Sequence, residues 1–152
     1  MVGYSGTPLA RKLGIRPGQR VTLRTAPDGF QSVLKPLPDD VVVGRGHRGT
    51  IDVVLQFAEW RRPLAKEFGK AQALLHPAGA LWVCWPKKAA KRPTDLTEDV
   101  VRAVGLDHGL VDVKVCAVDE VWSGLKFVYR LKDRPKRSRA ATSRQSAFGR
   151  LR

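Results

Sequence analysis

Apolar residues along this chain fall into short runs of period two or no period, separated by longer stretches with the period of a helix. RVTLR at 20–24 alternates as a half-buried strand does, while IDVVLQFA at 51–58 and ALWVCW at 80–85 are nearly continuous, as in strands covered on both faces. DVVV at 40–43 is a shorter run of the same kind. Residues 59–75 instead place Leu64, Phe68, Ala71, Leu74 and Leu75 at helical spacing, with Pro63 tolerated in the first turn, and His76-Pro77-Ala78-Gly79 predicts a stop. PTDLTEDVVRAVGL at 93–106 predicts a second amphipathic helix. Its inward face is Leu96, Val100, Val101 and Val104, Asp95 and Glu98 have capping-box spacing, and Gly105 is the expected terminator. Shorter helical turns are expected at 9–13 and, behind Asp28 as N-cap, at 29–35. LVDVKVCAV at 110–118, with Val111, Val113, Val115 and Ala117 on one face, and LKFVYRL at 125–131 predict two antiparallel closing strands.

Strands alternating with helices imply an α/β three-layer sandwich built on a mainly parallel sheet, with an antiparallel C-terminal hairpin. That hairpin finish resembles the class I methyltransferase sheet, and the whole reads as a shortened Rossmann-like fold with one unit missing. Removing the third strand and its helices leaves the order second, first, third, fourth, sixth, fifth, with a topological switch beside the first strand. Residues 1–134 are expected to form one domain and 135–152 a basic tail, disordered in isolation because it lacks apolar periodicity.

Charge then narrows the partners. The chain carries 28 Lys and Arg against 14 Asp and Glu, a net +14, which favours anionic partners such as nucleic acid or phosphates. Residues 132–152 hold eight basic side chains against one acid, Asp133, and Arg11, Lys12, Arg16 and Arg20 are unopposed in the first twenty positions. Cys84 and Cys116 sit inside apolar runs without a second ligand at metal spacing, so reduced thiols and no metal site are expected. With no apolar run long enough for a membrane span and no signal-peptide pattern, a cytoplasmic, non-membrane address follows.

Ligands of open α/β sheets sit at the carboxyl ends of the parallel strands. The predicted order brings Arg24, Arg45, His47, Arg48, Lys87 and Lys88 to that rim, an expected site for a phosphate-bearing anion. S-adenosylmethionine is disfavoured by two departures from the expected pattern. The turn after the first strand is Thr25-Ala26-Pro27-Asp28-Gly29, without a G-x-G, and the second strand ends in Gly44-Arg45 where a ribose-binding acid belongs. GRGHRG at 44–49 lacks the Gly-Lys-Ser/Thr of a P-loop. His76 and His108 lie in helix-stop sequences, where bonding to terminal carbonyls is expected. Trp82 and Trp85, three apart, are expected to wedge into opposite sides of the sheet, and Trp60 is expected to pack. In the tail, Lys136, Arg137, Arg139 and Arg144 are candidate nucleic-acid contacts.

GYSGTPLARKLGI at 3–15, APDGF at 26–30, WPKKA at 85–89, TDLTEDVVR at 94–102 and GLVDVKVCAVDEVWSGLKFVYRLKDR at 109–134 resemble the domain of unknown function 3052 family of small bacterial proteins. The resemblance spans residues 3–134 and implies a cytosolic protein with a Rossmann-like core, without an activity or catalytic residue to carry over. The first functional expectation is therefore a non-catalytic, Rossmann-like anion binder. The alternatives are a diverged S-adenosylmethionine-dependent methyltransferase-like enzyme and a nucleic-acid accessory protein working through the tail. The oligomeric state and the occurrence of any reaction stay open.

Overall fold

The computed structural model describes residues 6–44 and 46–135. Among them, six strands form one sheet: β1 (Arg20–Arg24), β2 (Val42–Val43), β3 (Ile51–Phe57), β4 (Leu75–Pro86), β5 (Val111–Ala117) and β6 (Trp122–Val128). The helices are α1 (Leu9–Lys12), α2 (Phe30–Val33), α3 (Arg61–Leu74) and α4 (Glu98–Asp107). The sheet order is β2-β1-β3-β4-β6-β5, the order expected from the alternation. β1 lies parallel between β2 and β3, β3 is parallel to β4, and β6 runs antiparallel between β4 and β5.

Two apolar layers sandwich the sheet, and the parity of β4 feeds both. Leu81, Val83 and Trp85 join Leu64, Phe68 and Ala71 of α3 and Val101 and Val104 of α4 on one face. Trp82 and Cys84 join Ala10 and Leu13 of the α1 segment and Phe30 and Leu34 on the other. Trp82 and Trp85 are thus wedges on opposite sides. The Trp82 indole N–H donates to the Leu13 carbonyl at 3.0 Å, so the amino-terminal segment is tied to the sheet by a polar contact inside an apolar layer.

Several boundaries differ from the expected ones, each for a tertiary reason. α3 ends at Leu74, just before the expected stop at His76–Gly79, but these four residues are not a loop before the strand. They belong to β4, whose register against β3 shifts between Ile51 and Val53. Gly79 is required in this shift, because a Cβ there would lie 2.6 Å from the Asp52 carbonyl oxygen. α4 likewise runs through Gly105 to Asp107. At Gly105 the missing side chain makes room for the Phe127 ring, and the turn that ends the helix falls instead at Gly109, with φ +88°. The N-cap of α4 is Thr97, whose hydroxyl accepts from the Val100 N–H at 3.2 Å. Asp95 caps a different helix: its carboxylate accepts from the Arg61 N–H at 2.7 Å, at the start of α3. In β5 a register shift between Asp112 and Lys114 breaks the alternation, leaving Val113 and Val115 on the exposed edge strand at 54% and 48% accessibility.

No helix among the described residues is long and apolar enough to cross a membrane. Among the same residues, no group of three or more His, Cys, Asp or Glu is arranged to hold a metal ion.

Candidate functional site

The topological switch falls between β1 and β3. From β1 the chain crosses to β2 on the α2 face, whereas from β3 it crosses through α3 to β4 on the opposite face. The two diverging connections leave a crevice at the carboxyl ends of β1 and β3, and a cavity of about 300 Å³ occupies it. The cavity is lined by Thr25 and Pro27 after β1, by Phe57, Ala58, Glu59 and Trp60 at the end of β3, by Pro63 and Glu67 of α3, and by Arg92 and Trp122. Its volume lies at the lower end of the range for small-ligand sites.

The turn leaving β1 is shaped without a glycine-rich sequence. Thr25 itself takes the left-handed conformation, φ +53°, which a β-branched residue adopts only when its surroundings hold it there. Gln56, fully buried on β3, does the holding. Its amide N–H donates to the Thr25 hydroxyl at 2.7 Å and to the Phe57 carbonyl at 3.0 Å, while its carbonyl oxygen accepts from the Arg24 Nε at 2.7 Å. Arg24 then donates from Nη2 to Glu67 on α3 at 2.5 Å, and Lys70 lies 3.6 Å from the other Glu67 oxygen. The guanidinium expected to face an anion is already neutralised by a carboxylate.

Across the cavity, the segment after β4 is strapped to the end of β3. Arg92 pairs with Glu59 and stacks over the Trp122 ring at 5.3 Å, the Thr94 hydroxyl donates to the Glu59 carbonyl at 2.5 Å, and Asp95 caps Arg61. Trp122 meets Phe57 edge-on with centroids 5.1 Å apart. Trp60, expected to pack, is 45% accessible and lines the cavity.

The six expected anion ligands do not gather here. Lys87 and Lys88 do emerge at the carboxyl end of β4, where the Lys87 N–H donates to the Val121 carbonyl at 2.8 Å and Lys88 opens a 3₁₀ turn. His47 and Arg48 travel the other way. The Gly49 N–H donates to the Ala73 carbonyl at 2.8 Å in the last turn of α3, and Ile51 pairs with Leu75, so this loop returns to the amino edge of the sheet. That edge lies one seven-residue strand, roughly 20 Å, from Lys87. Among the described residues, the connection from β2 to β3 carries no helix, so the chain passes to β3 within a few residues and takes those side chains with it. Arg45 and the tail candidates Lys136, Arg137, Arg139 and Arg144 lie outside the described residues.

The remaining expectations concern hydrogen bonds that the sequence could suggest locally. The His108 Nδ1 lies 2.8 Å from the Val104 carbonyl oxygen at the end of α4, and the His76 Nδ1 accepts from the Ala78 N–H at 2.9 Å. Asp119 accepts from the N–H groups of Val121 and Trp122 at 2.8 and 2.9 Å and so shapes the hairpin turn. Both cysteines are free thiols. Burial pushes the Cys84 thiol well above its ordinary pKa, and burial also raises that of Cys116. Cys84 and Cys116 both register against Gly124 from opposite sides of β6, two strand spacings or about 10 Å apart, too far for a disulfide.

Arg92, Glu67, Trp122 and the buried Gln56 were absent from the sequence-based site. Only the proximity of Glu59 and Trp60 to the end of a predicted strand signalled it.

No protein-family model matches the chain, and no curated protein sequence matches it. Solved structures do resemble it. A SAM-dependent methyltransferase from Aquifex aeolicus superposes with a TM-score of 0.56 at 14% identity, over 78% of this chain and 86% of that one. A putative type 11 methyltransferase from Sulfolobus solfataricus gives 0.52 at 12% identity, over 74% and 85%. Aeropyrum pernix fibrillarin, with natively bound S-adenosyl-L-methionine, gives 0.51 at 11% identity, over 83% and 70%. At these identities the likeness establishes the fold, which is class I S-adenosylmethionine methyltransferase-like.

Two expectations are corrected by it. The non-catalytic anion binder yields to its methyltransferase-like alternative, because these neighbours are described as methyltransferases or carry the methyl donor. The case against S-adenosylmethionine, built on the missing G-x-G and ribose acid, also falls, since the same fold holds it in a solved structure. The physical reason lies in the cavity. Thr25 supplies the left-handed turn that a glycine was expected to supply, and carboxylates reach the crevice from Glu59 and Glu67 instead of from the end of β2.

Proposed function

We propose that this chain is a diverged S-adenosylmethionine-dependent methyltransferase-like enzyme whose cofactor occupies the crevice between the ends of β1 and β3. The observation that carries the reading is the aromatic and carboxylate lining of the cavity at the switch point of a methyltransferase-like sheet. S-adenosylmethionine supplies, when bound, a methyl group on a positively charged sulfur. In this reading Trp60, half exposed at the crevice, offers a face for stacking, and the Glu59–Arg92 pair exchanges partners to meet the ammonium and the carboxylate of the cofactor. Gln56 and Thr25 keep the β1 turn in place beneath them. The resemblance to the domain of unknown function 3052 family and a cytoplasmic, bacterial setting belong to the same proposal.

Thermal unfolding of the full chain with S-adenosylmethionine, S-adenosylhomocysteine, ADP and inorganic polyphosphate tests it. At a ligand concentration of 100 Kd, S-adenosylmethionine should add about 2.7 kcal/mol of stability. Trp60→Ala, at a half-exposed position outside both apolar layers, should change the unliganded melting temperature little and weaken that response. Stabilisation by polyphosphate or ADP with no response to either adenosyl compound would sink the proposal.

A further inference from the structure

On the face of the sheet that carries α1, the β5–β6 end gathers several positive charges. Lys114 and Lys126 are directly opposed in the β5–β6 register, an arrangement of like charges that weakens a cross-strand pair. The Lys126 ammonium lies 3.8 Å from where a Cβ on Gly14 would sit, which brings the loop carrying Arg16 over the strand. Lys114 Nζ reaches the Lys12 carbonyl at 3.5 Å, and Lys12 Nζ donates to the Ala117 carbonyl at 3.1 Å. Among the described residues, none of the ion pairs involves Arg16, Lys114 or Lys126. Burial, then Lys114, then Arg16 lower the Lys126 pKa, so the repulsion is felt in the folded state.

We infer that Arg16, Lys114 and Lys126, with Lys12 at the rim, form a contact surface for the phosphate backbone of a nucleic acid. Side chains from a loop and two adjacent strands spread the charge over a surface, which suits a repeating polyanion better than a single phosphate. A membrane surface would be met by exposed aromatic or leucine side chains among the cations, and β5 and β6 present none on this face. The net charge of +14 supplies long-range attraction for the same partner. Lys126 shares its face with Trp122, four residues along β6 and roughly 13 Å away, so a strand bound here lies beside the cavity.

The test titrates the full chain and its Lys114→Gln/Lys126→Gln double variant against a labelled single-stranded RNA of on the order of 12 nucleotides, at several salt concentrations. The wild-type chain should bind. Loss of two phosphate contacts should weaken binding by the variant and make its slope of log affinity against log salt shallower by about 1.4. The variant should melt no lower than wild type, because it sheds a like-charge pair. Equal affinity and slope in the two folded proteins would overturn the inference, as would wild-type binding to phosphatidylserine vesicles with none to RNA. The S-adenosylmethionine response of the variant, followed in parallel, should match wild type. RNA binding that depends on Lys114 and Lys126 in a chain indifferent to S-adenosylmethionine would support this surface while removing the cofactor proposal.

Discussion

Gln56 concentrates the chemistry of the site in one residue. It is fully buried, and all its bonds run to the turn after β1 or to its own strand end: Arg24, Thr25 and the Phe57 carbonyl. Replacing it by leucine would keep much of the volume but strand the Arg24 Nε and the Thr25 hydroxyl inside the protein. A buried polar group left without its partner costs about 1–3 kcal/mol, so Gln56→Leu should lower the unfolding free energy by an amount of that order and the urea midpoint with it. The loss should also release Thr25 from its left-handed conformation and weaken binding in the cavity. An unchanged midpoint would mean that water or Glu67 takes over the bonds and that Gln56 does not hold the turn. This residue also shows why the site was hard to read. A glutamine inside IDVVLQFA looks like the polar blemish of a buried strand, and its significance depends on Arg24 and Thr25, more than thirty positions earlier.

At the scale of elements, capping shows where local patterns stop being informative. Asp95 and Glu98 have the spacing of a capping box, yet Thr97 caps α4 and Asp95 reaches 34 positions back to cap α3. The cap and the Thr94 and Arg92 contacts fasten the segment after β4 to the end of β3, so one wall of the cavity depends on them. Asp95→Ala should cost about 1 kcal/mol of stability, and Asp95→Asn, which keeps an acceptor, should restore most of it in equilibrium unfolding. Equal loss in both would assign the effect to charge and not to the cap. Strand existence and order were legible because apolar runs such as LWVCW have few other uses, and because right-handed crossovers leave few ways to arrange them. The β2–β3 connection was not, since nothing in GRGHRG indicates that the chain returns to the amino edge and carries His47 and Arg48 away from Lys87 and Lys88. The face assigned to β5 failed for a related reason: a single register shift moves a valine from one side to the edge, and Val113 and Val115 gave no sign of it.

For the whole molecule, the like-charge cluster and the buried thiols give opposite slopes to stability at alkaline pH, and the two can be separated. Burial, Lys114 and Arg16 lower the Lys126 pKa below its ordinary 10.5, so the folded chain holds this proton less tightly than the unfolded one. At neutral pH both states are protonated and the repulsion is fully present. As pH rises through the lowered folded value toward 10.5, the folded state gives up the proton first, and this contribution makes the protein more stable. Cys84 and Cys116 act in the other direction. Their folded pKa values are raised above 9.0, so above that pH the unfolded chain gains by ionising them and stability falls. A wild-type profile alone would mix the two, whereas Lys126→Gln removes only the first. The variant should melt higher than wild type near pH 7, and its advantage should shrink steadily as pH approaches 10.5, with the thiol-driven decline common to both proteins. Raising the salt concentration at pH 7 should narrow the same gap, because Lys114 and Arg16 are exposed and their repulsion of Lys126 is screened. A variant that melts below wild type at pH 7, with a gap insensitive to both pH and salt, would mean that the Lys126 stem contributes through packing. The repulsion would then be too weak to matter for a polyanion either.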